Sequence, residues 1–188
     1  KDNIGYIQIQ GKDFWDDQIL ENGFYHEDVP VEKLLELKEI LGLEKKLESG
    51  TLSSTGMSSR GTFILSYDQS EAAPEKIVNN ITAGNLPEIG KQEIVLGEEL
   101  ASYLEAEVGD TVVFLGQGFQ GATAAGLYVL SGTIDMHIPE LNQMVAYMPM
   151  SDLQEFISAP NLITSLMVDV KNPDDVDETK KKIQKIVG

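Results

Sequence analysis

The sequence predicts an α+β protein of two parts. One is an α/β subdomain formed by both chain ends, residues 1–55 and 160–188, and the other is an inserted β-rich subdomain, residues 56–159. Three observations predict this. Strand–helix–strand patterns sit near both termini, whereas the middle holds mostly strand-like runs broken by glycine turns. The stretch Glu93–Phe114, EIVLGEELASYLEAEVGDTVVF, sets two buried-strand runs around a helix of barely two turns, with a Val108-Gly109-Asp110 turn before the second strand. No internal repeat or low-complexity tract interrupts the chain.

The elements follow in order. Ile4–Gln10 alternates apolar and polar positions and reads as a strand with one apolar face. A polar, aromatic loop, Lys12–Glu27, comes next. Asp28 offers a helix cap, Pro30 a first turn, and Val31, Leu34, Leu35, Leu37 and Leu41 helical spacing, with Gly42 as the stop. Leu47–Thr55 and Thr62–Tyr67 read as strands, and Pro74–Ala83 as a short helix ended by Gly84. After the Val108-Gly109-Asp110 turn, strands are expected at Thr111–Leu115, Gly126–Ile134 and Gln143–Tyr147. A short helix capped by Ser151 runs to Ile157, and Leu162–Val170 is a strand. The last helix starts at Asn172-Pro173, with Asp174, Asp175 and Asp177 in its first turn and lysines toward its end, as the helix dipole favours.

Composition excludes several functions. The 188 residues, 41% hydrophobic, suffice for one large or two small cores. Fourteen basic against 31 acidic residues give a net charge of −17, which repels phosphate backbones and anionic headgroups, so no nucleic-acid partner is expected. Such a charge would suit a cationic partner, but keeping the domain soluble is the better explanation. The absence of cysteine excludes disulfides, thiolate chemistry and cysteine-based zinc sites, and fits an extracytoplasmic compartment. No apolar run approaches the roughly 18–20 residues of a membrane helix. Lys1 runs at once into strand-like sequence, so the chain reads as an excised segment.

Few residues carry chemistry. Gly116-Gln117-Gly118-Phe119-Gln120-Gly121 matches G-x-G-x-x-G after a strand, but a dinucleotide site needs a helix next, and Leu127–Ile134 reads as strand. A hairpin loop is the better reading. Trp15-Asp16-Asp17, with His26 and Glu27 nearby, resembles an acid–base or metal cluster only superficially, because adjacent strand residues point to opposite faces. Trp15 is expected to anchor the loop and the aspartates to make turn hydrogen bonds. His26 and His137 lack partners at ligand spacing, and no G-x-S-x-G elbow supports a triad. No catalytic, cofactor or metal residue is therefore assigned. The partner-contact candidates are Met57 and Arg60 in the polar loop Gly56–Gly61, and Phe119, expected to be exposed at a glycine-rich tip. The run Lys180-Lys181-Lys182 complements the helix dipole and could also face headgroups.

Five segments in order resemble the extracytoplasmic domain of MacB-, Lol- and FtsX-type ABC transporter permeases. They are Gly5-Tyr6-Ile7-Gln8-Ile9 with Phe14-Trp15-Asp16-Asp17; Gly61-Thr62-Phe63-Ile64-Leu65 with Ala83-Gly84; the Glu93–Phe114 stretch; Leu127–Ile134; and Met148-Pro149-Met150-Ser151-Asp152-Leu153-Gln154. The resemblance implies a porter-like subdomain from both chain ends, an inserted sabre-like subdomain, and a last porter strand beyond Gly188. It implies a non-catalytic domain outside the inner membrane and a cognate ATPase acting through membrane helices. It further implies a permease homo- or heterodimer. Lol-type permeases that recruit a lipoprotein carrier resemble one another in a long, proline-rich hairpin. Gly116–Ala125 is short and proline-free here, so carrier capture by such a hook is not expected. The alternatives are a soluble α/β enzyme dependent on nucleotide or metal, and a secreted binding module without an ABC partner.

Overall fold

The computed structural model describes residues 5–11, 20–68 and 75–187. Along the chain come strands β1 (Gly5–Gln10) and β2 (Phe24–Tyr25), helix α1 (Val31–Leu35), strands β3 (Ile40–Lys46), β4 (Glu48–Ser54) and β5 (Ser59–Tyr67), and helix α2 (Glu75–Val78). Strands β6 (Ile81–Gly84) and β7 (Glu93–Gly97), helix α3 (Glu98–Tyr103), and strands β8 (Thr111–Gln117) and β9 (Thr123–Ile134) follow. Last are helix α4 (Pro139–Asn142), strand β10 (Val145–Pro149), helix α5 (Met150–Phe156), strands β11 (Leu162–Ile163) and β12 (Ser165–Val170), and helix α6 (Val176–Val187). The chain divides into two compact units, Lys1–Lys46 with Asn161–Gly188, and Leu47–Pro160.

In the first unit β12 is the centre of an antiparallel sheet ordered β1-β12-β3, with Ile7 and Leu43 both opposite Val168. Ile7, Leu166, Val168 and Val170 are buried, as are Leu34 of α1 and Ile183 of α6. Lys182 of α6 reaches Glu39, just before β3, at 2.6 Å and Glu178 at 2.8 Å. These bonds hold the lysine's pKa above its ordinary value and that of the Glu39 carboxyl below it.

Here the structure departs from the sequence pattern. The helix expected to reach Leu41 stops at Leu35, and Leu41 and Gly42 lie in strand β3. Leucines three and four apart satisfy a helix equally well in isolation. Pairing of Ile40–Lys46 with β12 decides the matter, leaving Leu35 and Leu41 about half exposed. The expected caps move as well: α1 begins after Pro30, α5 begins after Pro149 with Ser151 inside its first turn, and neither has a side-chain cap. The expected helix 74–83 splits into α2 and strand β6, because Ile81–Gly84 pairs with β9.

The second unit is a closed ring of strands. β9 pairs with β7 in parallel, β7 with β10 antiparallel, and β10 with β5 in parallel. The pairs β5–β4, β4–β8 and β8–β9 are antiparallel. Each of these six strands thus has two hydrogen-bonded neighbours, and β6 extends the far end of β9. The sequence reading placed residues 47–55 with the chain ends, whereas β4 (Glu48–Ser54) pairs with β5 and β8 in this ring.

Period-2 alternation fills the interior. Ile64, Ile94, Leu96, Val112, Phe114, Tyr128, Leu130, Ala146 and Met148 are buried, with the Ser53 and Thr62 hydroxyls 2.6 Å apart. Tyr128 lies edge-on between Phe114 (5.7 Å) and Phe156 of α5 (6.0 Å). Outside β7 and β10, a second cluster of Tyr67, Ile77, Val95, Ile134, Val145 and Tyr147 is covered by Ile81, Leu86 and Met136. The G-x-G-x-x-G segment joins β8 to β9 through one 3-10 turn, Phe119–Gly121, as the hairpin reading expected. No helix follows it.

Candidate functional site

The outward positions of β4, β5, β8 and β9 form the most distinctive surface of the second unit. Leu52, Phe63, Val113, Leu115, Leu127 and Val129 are all exposed, Leu127 most of them at 59%. Register makes them neighbours: Val113 is opposite Leu127, Leu52 is opposite Leu115, and Thr111 is opposite Val129. The remaining outward positions of β8 and of the first half of β9 are Thr111, Gln117, Thr123 and Ala125. On a chain of net charge −17 this stretch of β8 and β9 carries no charge. Contiguous apolar faces of a few hundred Å² on a soluble domain mark contact surfaces more often than chance exposure does.

The three residues singled out from sequence do not converge. Met57, 86% exposed, tips the turn between β4 and β5. That turn is pinned where the Ser54 hydroxyl bonds the Ser58 carbonyl and the Thr55 hydroxyl bonds the Leu104 carbonyl. Arg60 is engaged within the unit: its guanidinium donates to Gln143 Oε1 at 2.8 Å and lies 4.8 Å over the Tyr103 ring. Phe119 corrects an expectation. It is half-buried, because its N–H donates to the Ile157 carbonyl (2.8 Å) and draws the loop onto the end of α5. Ser54 pairs with Val113 and Thr51 with Gly116, so the Met57 turn and the Phe119 turn lie at opposite ends of the β4–β8 pair.

The apolar face was missed because a run such as Val112-Val113-Phe114-Leu115 reads as buried on both sides. The available signal was the absence of charge at its outward positions.

The titratable groups offer little chemistry. His137 sits 3.0 Å from Asp135 on the surface. Asn142 Nδ2, the His137 backbone N–H and the histidine itself hold the Asp135 carboxyl below its ordinary pKa. Among the described residues, no group of three or more His, Cys, Asp or Glu is placed to hold a metal ion. The segment Trp15-Asp16-Asp17 lies outside the described residues.

No protein of curated function matches the chain in sequence. Among solved structures, the extracellular domain of the noncanonical ABC-type transporter YknZ from Gram-positive bacteria is similar at 13% identity and a TM-score of 0.64, covering 98% of this chain and 92% of that one. The periplasmic region of MacB from Actinobacillus actinomycetemcomitans is similar at 16% identity and a TM-score of 0.62, covering 98% and 82%. At such identities the likeness speaks to fold alone. The model of the MacB-like periplasmic core domain matches residues 1–186, essentially the whole chain, and the chain belongs to that family.

Proposed function

We propose that this domain stands outside the inner membrane as the part of an ABC permease that meets a substrate or partner. A cognate ATPase, fused or separate, drives it through membrane helices adjoining the domain in the whole protein, and the permease works as a homo- or heterodimer. The observation that carries this reading is family membership over residues 1–186. Among the described residues no helix is long and apolar enough to cross a membrane, so the coupling helices are assigned to the rest of the protein. The unit formed by both chain ends is assigned the porter-like role, and the strand ring the sabre-like role. The uncharged face around Leu115 and Leu127 is the favoured contact surface, with Met57 and Phe119 at its two ends and Arg60 buttressing the Met57 turn. Catalysis has no place in the domain.

The test places a photo-crosslinking amino acid at Leu127 of the full-length permease in membranes, with Lys181 as a control site. Crosslinks at Leu127 that change in partner or yield between ATP-bound and nucleotide-free states are expected. Crosslinks that ignore nucleotide, or that equal those at Lys181, would overturn the reading.

A further inference from the structure

The strand ring also carries a cavity, which borders the apolar face at Thr123 and Ala125. With a volume of about 330 Å³, within the size range of small-molecule sites, it opens beside α5. Gly90, Gly126, Tyr128, Asp152, Glu155 and Phe156 are among the residues that line it, and no lysine, arginine or histidine does.

Its polar groups are unbalanced. Asp152 is buried, and its two carboxylate oxygens each lie 3.1 Å from the Gly90 N–H, with the Ser151 hydroxyl donating at 3.2 Å. Those neutral donors fix the carboxylate without neutralising it. Glu155, one turn along the same helix, adds a second negative charge. Tyr128 is only 5% exposed as a residue and lines the cavity, and its hydroxyl is not one of the enclosed polar atoms that lack a partner, so that oxygen opens on the cavity. Its ring end lies where a side chain on Gly126 would sit, with the hydroxyl oxygen 3.3 Å from that position. Burial first, then the charges of Asp152 and Glu155, push the phenol up to about 12, so it stays protonated and offers an unused donor. A donor that opens on a cavity is met there by water or by the acceptor of a ligand.

The cavity thus presents two anionic acceptors and one neutral donor, with aromatic edges from Tyr128 and Phe156 beside them. A bare metal ion does not match this set. Two carboxylates and a neutral phenol are a sparse set for a dedicated metal cage, and no group of three or more His, Cys, Asp or Glu is placed to hold one among the described residues. A protonated amine matches it: the ammonium supplies donors to the carboxylates, and an adjacent carbonyl or hydroxyl oxygen accepts from the tyrosine. We propose that this cavity binds a small organic ammonium compound bearing a hydrogen-bond acceptor beside its amine.

The probe is glycinamide, an amine next to a carbonyl, titrated at neutral pH into the intact chain and followed by amide NMR. Saturable shifts at Gly90 and Gly126 are expected, with none from acetamide, which keeps the carbonyl and lacks the charge. Tyr128→Phe should weaken binding about three- to tenfold and Asp152→Asn about tenfold or more, as loss of neutral and charge-assisted hydrogen bonds implies. Because Asp152 also ties down Gly90, Glu155→Gln provides a variant at an exposed position, expected to bind about threefold or more weakly with an unchanged spectrum.

Four results would overturn the proposal. Unsaturating shifts spread over the acidic surface would mean general attraction to the net charge. Equal shifts from acetamide, or calcium saturating the same amides and excluding the amine, would remove the ammonium assignment. Undiminished binding in both Tyr128→Phe and Glu155→Gln would place the site elsewhere. A silent titration would leave ordered water as the only occupant.

Discussion

Phe114 and Leu115 are chain neighbours on one strand with opposite fates, which makes them a sharp test of ring closure. Phe114 is fully buried and meets Tyr128 edge-on at 5.7 Å, whereas Leu115 is 50% exposed on the outer face. Replacing Phe114 with alanine removes a buried ring and its aromatic contact. The surrounding strands are hydrogen-bonded on both edges and cannot close on the void. Large-to-small changes of this kind cost about 3–5 kcal/mol, and the poor capacity for collapse puts this one near 4 kcal/mol. With a urea slope of about 2 kcal/mol/M, the midpoint falls by about 2 M. Leu115→Ala leaves no enclosed cavity and forfeits roughly half of a leucine's transfer free energy, about 1 kcal/mol or less, shifting the midpoint by about 0.5 M or less. Urea unfolding followed by circular dichroism reads both. Equal losses for the two variants, or a larger loss for Leu115→Ala, would refute the assignment of inner and outer faces and the closed ring with it.

Two further outcomes follow from the same geometry. A methyl group on Gly97 would sit 2.3 Å from the Asn142 carbonyl oxygen and 2.9 Å from two more of its backbone atoms. Gly97→Ala should therefore cost about 1–3 kcal/mol as the end of β7 and α4 are forced apart. In Tm this is roughly 3–10 °C by calorimetry. Gly61→Ala on β5, where nothing lies within 4 Å, should change Tm by no more than about 2 °C; equal losses at both positions would refute the close-approach explanation. In acid, Glu39 (bonded by Lys182) and Asp135 (bonded by Asn142, then His137) have pKa values below their ordinary 4.5 and 3.8. Folded-state values below the unfolded ones mean stability that is complete above the ordinary carboxylate range and lost as pH falls through the depressed values. Glu39→Gln and Asp135→Asn should each flatten the fall in urea midpoint below about pH 4, and a steeper fall in either variant would contradict the assigned bonds.

How much of this was legible in the sequence depends on the range of the interaction that decides each feature. The stretch Glu93–Phe114 was readable because its pattern is local: apolar run, helix, glycine turn and apolar run became β7, α3 and β8. The last helix was equally plain, though its first residues, Pro173–Asp175, form a 3-10 turn capped by Asn172. The glycine-rich segment could be dismissed as a nucleotide loop because the strand-like run after it left no room for a helix. Five weak motifs in order pointed to the family that the whole chain matches. Local pattern failed at Leu35–Leu41 and at Ile81–Gly84, where the same residues serve helix or strand and only pairing with β12 or β9 selects the strand.

The sequence by itself determined the class of fold, the family, and the absence of cysteine chemistry, since composition, period and motif order need no partner strand to be read. Tertiary structure alone decided which apolar residues remain uncovered, because Leu115 and Phe114 are equally hydrophobic and differ only in the side of the ring they face. It also decided that Met57 and Phe119 lie at opposite ends of a strand pair, and that Tyr128 of β9 shares one cavity with Asp152 and Glu155 of α5. Those outcomes rest on ring closure through β4–β8, β7–β9 and β10–β5, whose partners lie tens of residues apart. No local pattern encodes register across such a distance; it is set when the ring closes and buries one face of every strand.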